Sequence, residues 1–333
     1  MVDNQGIDGA QAGQVTPSTA RSYQTTARRL YQRYLVSGGP EGDSLHGVDA
    51  KAFEAWLTAL KPGLGKNTWR QYKAAVVYSL REAGFVEAAE SLKAETSVGA
   101  KPRGQKTSAT KSKGFPSRDR DRIFGWLRAR QTSYSTPLEN WLRATINTGL
   151  RPCEWKTAEY VERHPETDGP ALLVRNAKNT HGRSNGDSRT LLFHEGYSLE
   201  DLEIIRTHAA YCADMAVLGK FDRFYDNCRH LMAAASRALW PRRSRHYTLY
   251  SCRHQFSANA KRVTVQGVVA ALMGHGSDAT AGFHYARAVQ GEGGSRGPVP
   301  LPLPAEVATV RHEPTREERR LSRTELRPLP DIS

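Results

Sequence analysis

Between Lys101 and Arg118 the chain runs KPRGQKTSATKSKGFPSR, eighteen residues with six basic side chains, no acid and little that could pack. A stretch of low hydrophobicity and one sign of charge does not bury enough apolar surface to offset the entropy of ordering it. It therefore reads as a connector, and the chain must fold as separate units on its two sides. We place a basic linker at 96–117, either a solvated hinge or a hinge that lies along a polyanion. The 333 residues suffice for two or three domains at roughly 100–200 residues each. The formal net charge of +14 makes a polyanion the natural partner of the whole chain.

Helical patterns stand on the N-terminal side. Residues 1–15 read as a flexible arm. Thr16-Pro17 is an N-cap followed by a first-turn proline, and Tyr23, Ala27, Leu30, Tyr31 and Tyr34 then fall on one face. Asp49 is expected to cap a second helix with Phe53, Trp56, Leu57 and Leu60 inward. Asn67 is expected to cap a third that carries Trp69, Tyr72, Val76 and Leu80 and stops at Gly84. Residues 16–95 thus read as a helical bundle. From Asp119 the periodicity resumes, with Ile123, Phe124 and Leu127 on one helix and Trp141, Leu142, Thr145 and Ile146 on the next. Ala171–Val174 and Thr190–Phe193 are β-prone runs around a polar, glycine-containing segment, and so predict a hairpin. Helical patterns return at 198–216, 222–239, 252–262 and 265–274, closing a second unit at 118–289. Residues 290–333 hold seven of the 17 prolines and equal numbers of Arg and acids, and read as a largely disordered tail. Within it, Ala305 to Val310 predicts one apolar turn that docks on something. The fold class expected is mainly α with a small β-hairpin or sheet.

Several chemistries find no support. No run approaches the ~18 apolar residues that span a bilayer, and the first twenty residues lack the apolar stretch of a secretory leader. Four scattered cysteines without a CxxC pair argue against a disulfide framework or a zinc module, and fit a reducing cytoplasm. No phosphate-binding glycine loop, HExxH or GxSxG occurs. No metal or cofactor is expected.

Three segments carry more. In Thr148-Gly149-Leu150-Arg151-Pro152-Cys153-Glu154 an apolar helix ends at glycine, and Arg151 opens a second helix whose N-terminal dipole favours an anion. Glu154 is placed to fix that guanidinium or to cap the helix. Taken alone, Arg151 is a surface arginine after a helix end. In Leu249-Tyr250-Ser251-Cys252-Arg253-His254, Arg253 and His254 open an alanine-rich helix with Tyr250 three residues earlier. Two arginines a hundred residues apart can clamp one phosphate with planar, permanently charged donors. In Leu272-Met273-Gly274-His275 a short helix stops and exposes His275, and Tyr285 follows ten residues on, between His284 and Arg287. By itself Tyr285 would be a core tyrosine.

Together and in this order, TGLRxxE, a basic hairpin, an arginine–histidine pair, LMGH and a terminal tyrosine resemble the tyrosine recombinase (phage-type integrase) family over about 117–288. The 16–95 bundle is similar in position and character to that family's core-binding domain. The resemblance implies a mixed α+β catalytic domain and an enzyme that cleaves and rejoins duplex DNA through a 3′-phosphotyrosyl intermediate, without a cofactor. It implies that Arg151 and Arg253 clamp the phosphate, His275 donates to a non-bridging oxygen and Tyr285 is the nucleophile. The hairpin lysine is best matched by Lys178, with Arg183 and Arg189 as weaker contenders. Tyr250 stands where the family usually has His or Lys. A phenol, with an ordinary pKa of about 10, is a poor base near neutrality, so its acid–base role stays open. His246 and His254 lie off the matching position. The basic residues expected to meet DNA are Arg21, Arg28, Lys66 and Arg70 in the bundle and Lys101, Arg103, Lys106, Lys111 and Lys113 in the linker. The resemblance further implies a homotetramer on DNA, a monomer or weak oligomer when free, room for an accessory DNA-bending factor, and a cytoplasmic, nucleoid-associated protein of bacterial or phage origin, encoded by a mobile element. Alternatives are a type IB topoisomerase-like or telomere-resolvase strand transferase, and a DNA-binding architectural or regulatory protein that has lost catalysis.

Overall fold

Thr16 sits in the extended region with its hydroxyl accepting the Thr19 N–H at 3.3 Å, and proline fills the first helical position of α1, Pro17–Val36. The cap supplies a partner for one of the orphan N–H groups of a helix start. The computed structural model describes residues 15–39, 49–101, 111–177, 184–280, 285–292 and 297–314. The chain divides into two units, Met1–Lys106 and Thr107–Ser333.

In the first unit, α1 is followed by α2 (Ala50–Ala59), α3 (Lys66–Glu82) and α4 (Val86–Ala94). Asp49 caps α2 by accepting the Lys51 and Ala52 N–H groups. The cap of α3 is Gly65, so Asn67 falls inside the first turn rather than before it. The inward face of α1, carrying Ala27, Leu30, Tyr31 and Tyr34, packs with Phe53, Leu57, Trp69, Val76, Leu80 and Leu92. Phe53 takes the edge of Tyr31 and stacks on Trp56, with ring centres 5.9 and 5.8 Å away. Part of the basic linker belongs to this unit. The Trp69 indole N–H donates to the Thr96 carbonyl at 3.0 Å, and the Lys101 N–H to the Leu64 carbonyl at 2.9 Å.

The second unit opens with α5 (Ser117–Arg130) and α6 (Ser135–Thr148), then a 3-10 turn over Pro152–Thr157. An antiparallel sheet follows in the order β1 (Glu159–Val161), β2 (Ala171–Arg175), β3 (Ser188–Leu192), with Leu172 paired to Leu191 and to Tyr160. The expected hairpin is β2–β3. Strand β1 adds an edge that three residues are too few to reveal as a sequence pattern. Helices α7 (Leu199–Val217), α8 (Phe221–Leu239), α9 (Leu249–Val263) and α10 (Gln266–Leu272) complete the unit.

Helix α9 runs through the middle, buried from Ser251 to Ala260 apart from a half-exposed His254. Its alanines and serines let neighbouring backbones come close, and its buried polar side chains reach them. Gln255 Oε1 accepts the Phe115 N–H at 2.7 Å, and the Ser251 hydroxyl donates to the Ser112 carbonyl at 2.7 Å. Phe115 is fully buried against Tyr247. The end of the basic stretch is therefore packed core, where composition suggested little to pack. One aromatic side chain is enough to anchor it once α9 offers the polar partners.

The tail is a second correction. Residues 297–314 are ordered on the second unit of their own chain. Leu192 and Leu301 exchange backbone hydrogen bonds at 2.8 and 2.9 Å along the free edge of β3, and α11 (Pro304–Ala308) follows. The Glu306 carboxylate accepts the Thr190 N–H, and the Arg311 N–H donates to the Gly276 carbonyl. Proline removes donors from such a segment, but the residues between the prolines supply those an open strand edge needs. Residues 315–333 lie outside the described part.

Among the described residues no helix is long and apolar enough to cross a membrane. Among the same residues, no group of three or more His, Cys, Asp or Glu could hold a metal ion.

Candidate active site

Helix α6 ends at Gly149, whose φ of +68° and 2.8 Å hydrogen bond to the Thr145 carbonyl turn the chain sharply. A β-carbon there would lie 2.2 Å from the ring of Phe256 on α9. The turn and the close approach together aim Leu150 into the core and Arg151 at α9. Gly149→Ala should therefore lower the stability of the second unit by about 2–4 kcal/mol, combining left-handed strain with overpacking. Urea unfolding checks this, and a loss below about 1 kcal/mol would show that Phe256 gives way.

Arg151 does not open an α-helix with free N–H groups. It precedes a six-residue 3-10 turn, and the anion at that turn is the chain's own Glu154. The Glu154 carboxylate is wholly buried and accepts five hydrogen bonds. Arg151 gives its backbone N–H at 2.7 Å and Nη1 at 2.6 Å, and Arg189 gives Nη2 at 2.8 Å and Nη1 at 3.3 Å. The Ala177 N–H donates the fifth at 3.2 Å. Arg253 adds its charge from 3.8 Å. Burial pushes the Glu154 carboxyl up, but Arg189, Arg253 and Arg151 overcome it and hold the group well below the usual carboxylate range. One carboxylate thus gathers three guanidinium groups from the 3-10 turn, β3 and α9.

Arg189, a weaker contender than Lys178 for the hairpin donor, has a bracing place. It is a fully buried strut, donating Nε to the Leu272 carbonyl at 2.9 Å and Nη1 to Asn176, and it is not a mobile hairpin donor. Lys178 and Arg183 lie outside the described residues, although the amide of Ala177, just before Lys178, is fixed on Glu154.

Arg253 sits one turn inside α9, which begins at Leu249, and not at its start as the sequence suggested. It is fully buried. Its Nη1 donates to the Gly149 carbonyl, and its Nη2 to the Met273 carbonyl at 2.6 Å and to His275 Nε2 at 3.3 Å. The remaining Nε donates to the Tyr285 hydroxyl at 3.1 Å, and the Tyr285 ring lies over the guanidinium at 5.5 Å. His275 is buried rather than exposed, because the chain turns inward at Gly274. Burial and the nearby Arg253 and Arg151 push its pKa down to about 2, so the ring is neutral. With Arg253 donating to Nε2, the ring proton sits on Nδ1, which is buried and has no partner among the described residues.

Tyr250, on the same face of α9 as Arg253, brings its hydroxyl to 3.5 Å from that of Tyr285. The structure thus brings together Arg151, Glu154, Tyr250, Arg253, His275 and Tyr285, from four separate stretches of the second unit. His254, off the matching position in sequence, lies beside them with its ring 5.0 Å from that of Tyr285, and burial with Lys113 and Arg253 nearby pushes its pKa down to about 4.

No family model and no curated protein matches this chain. Among solved structures it is similar to the Tn1549 transposon integrase in complex with a circular intermediate DNA. That likeness has a TM-score of 0.44 at 10% identity, over 95% of this chain and 96% of the other.

Sequence reasoning missed the side chains that hold the segment after Tyr285. Lys261 donates to the Ala286 carbonyl at 2.9 Å, Gln255 to the Gln290 carbonyl at 2.7 Å, and Asn259 accepts the Glu292 N–H at 2.8 Å. Two amides one turn apart in an alanine-rich helix were the signal. Of the basic residues proposed for DNA, Arg21 and Arg28 are exposed on α1, Lys66 and Arg70 on the first turns of α3, and Lys101, Lys111 and Lys113 at the two ends of the connector. Arg103 and Lys106 lie outside the described residues.

Proposed function

We propose that this chain is a tyrosine site-specific recombinase that cleaves and rejoins duplex DNA. The observation that carries the reading is the gathering of Arg151 and Arg253 around one buried carboxylate, with Arg253 bonded both to the Tyr285 hydroxyl and to a neutral His275. A phenol held on a guanidinium among fixed cations is an activated nucleophile beside a ready-made seat for a phosphoryl group.

In the reaction, the scissile phosphate takes up the Nε donor of Arg253, which the Tyr285 hydroxyl holds at 3.1 Å in the free chain, while that hydroxyl keeps its place beside Tyr250. The phenol oxygen bonds to phosphorus as the bond to the 5′ oxygen breaks, leaving a 3′-phosphotyrosyl ester. Lys178 gives its proton to the departing 5′ oxygen, and a 5′-hydroxyl later reverses both steps. Arg151, Arg253 and the Nδ1–H of His275 face the charge that builds on the non-bridging oxygens. Arg21, Arg28, Lys66, Arg70 and the lysines flanking the connector neutralise backbone phosphates. Exchange between two duplexes uses four copies of the chain with room for a DNA-bending protein, and suits a mobile element working on the nucleoid in a cytoplasm.

The test is a nicked suicide duplex built from the DNA flanking the protein's own gene, which traps the covalent intermediate by losing the short 5′-hydroxyl strand. A protein–DNA adduct whose protease digest maps to the peptide containing Tyr285 is the expected result. An adduct that maps to Tyr250, or its absence on every such duplex, would overturn the assignment.

A further inference from the structure

We propose that Tyr250 is a catalytic hydrogen-bond donor to the Tyr285 oxygen, stabilising the phenolate that attacks phosphorus rather than removing its proton. This rests on the recombinase reading and assigns a role that the reading leaves open.

The geometry decides which phenol ionises. The two hydroxyl oxygens are 3.5 Å apart, a long contact that a small side-chain shift closes into a hydrogen bond, and like charges at that separation disfavour both ionising together. The Tyr285 oxygen also receives Nε of Arg253 at 3.1 Å, whereas the Tyr250 oxygen has Tyr285 as its polar neighbour. The negative charge therefore belongs on Tyr285, and Tyr250 keeps its proton and points it there. The charged and titratable groups facing Tyr285 fit this order: Tyr250, Arg253, His254 and Lys261 from α9, Arg151 from the 3-10 turn, and His275 after α10. Burial pushes Tyr250 up to about 12. Burial also raises Tyr285, but Arg253, the hydrogen bond from Tyr250 and Arg151 outweigh it and leave this phenol below the ordinary tyrosine value.

The proton balance follows. Tyr285 loses its proton to a base in bulk water before attack, and Tyr250 keeps its own throughout. When the oxygen–phosphorus bond forms, the ester oxygen becomes a weak acceptor and the Tyr250 hydroxyl is released. On rejoining, the phenolate that leaves phosphorus recovers the same donor. A phenol standing where the resemblance leads one to expect His or Lys thus lowers the barrier without acting as a base.

The experiment labels the protein with tyrosine carrying carbon-13 at Cζ and titrates the free, full-length chain by NMR, with the Tyr285 signal assigned through Tyr285→Phe. Tyr285 should ionise before Tyr250, and Tyr250→Phe should raise its midpoint by about one pH unit, the scale of a hydrogen bond to a charged group. Replacing Tyr250 with 3-fluorotyrosine, a moderately stronger donor of nearly the same shape that remains the weaker acid of the pair, should lower the midpoint. In adduct formation on the suicide duplex, the acid limb of the pH–rate profile should move the same way, about tenfold slower at pH 7 for Tyr250→Phe. If Tyr250 ionises first, or the Tyr285 midpoint stays put in both variants while the wild type forms its adduct, the donor role is wrong and the recombinase reading stands. If the midpoint moves but no duplex yields an adduct, the phenol pair is real and its catalytic role falls with the reading.

Discussion

Glu154→Gln should cost the second unit about 3–5 kcal/mol, the scale set by removing one member of a buried ion pair and leaving its partners charged. The carboxylate has no exposed surface and accepts from Arg151, Arg189 and Ala177, with Arg253 close by. An amide of the same shape offers one acceptor and turns two donors toward guanidinium groups that are themselves donors. Urea unfolding followed by the tryptophans reads the change. Trp126, Trp141, Trp155 and Trp240 report on the second unit, while Trp56 and Trp69 report on the first, which should be unaffected. The pH dependence has a defined sign. The folded Glu154 carboxyl is held below its unfolded value, so its contribution is complete above about pH 4–5 and fades as pH falls through the folded value. In Glu154→Gln that part of the acid sensitivity disappears, and the unfolding free energy changes less between pH 5 and pH 3 than in the wild type. A loss of under about 1 kcal/mol at pH 7 would mean that the arginines find other partners, and that Glu154 does not organise the site.

That carboxylate also explains how much of the molecule could be read before folding. The helices were legible because each buries one face of a 3.6-residue pattern. Tyr23 to Tyr34, Trp69 to Leu80 and Trp141 to Ile146 carry that period in plain view. The order of the site segments was legible too, since glycine ends α6 just before Arg151 and turns the chain at His275. What stayed hidden was the inside of the site. Whether a buried arginine clamps a ligand or braces the fold depends on neighbours from distant strands, and Arg189 braces Glu154 while looking, in sequence, like any basic hairpin residue. Composition likewise misjudged two segments. Phe115 has six basic residues around it in sequence and still reaches the core, because Gln255 and Ser251 on α9 satisfy the backbone beside it. Residues 297–314 look like a proline-rich tail, yet Leu301 closes the open edge of β3. In each case the missing information was a polar partner supplied from far along the chain.

Arg151→Lys should slow adduct formation about 10²–10³-fold, the usual cost of one preorganised donor to a developing oxyanion, while leaving stability and DNA affinity close to those of the wild type. A lysine ammonium can still pair with the buried Glu154 carboxylate, which Arg151 now meets through Nη1 at 2.6 Å. It cannot do that and present a second, coplanar N–H to a phosphate, because its charge is a single point on a flexible stem. Tyr285→Phe is the companion. It should form no adduct at all, yet bind the same duplex as tightly as the wild type, since the lost hydroxyl faces Arg253 and Tyr250 and not the basic surface. Gel-shift affinity, urea stability and the single-turnover adduct rate, measured on one suicide duplex for both variants, separate the possibilities. If Arg151→Lys cleaves at the wild-type rate, the guanidinium is a structural partner of Glu154 and the clamp falls to Arg253 and His275. If it loses stability in step with rate, its role is to hold the fold. Only a loss of rate with stability and affinity kept identifies a fork that the transition state uses, because the ground state of the free protein already satisfies that side chain.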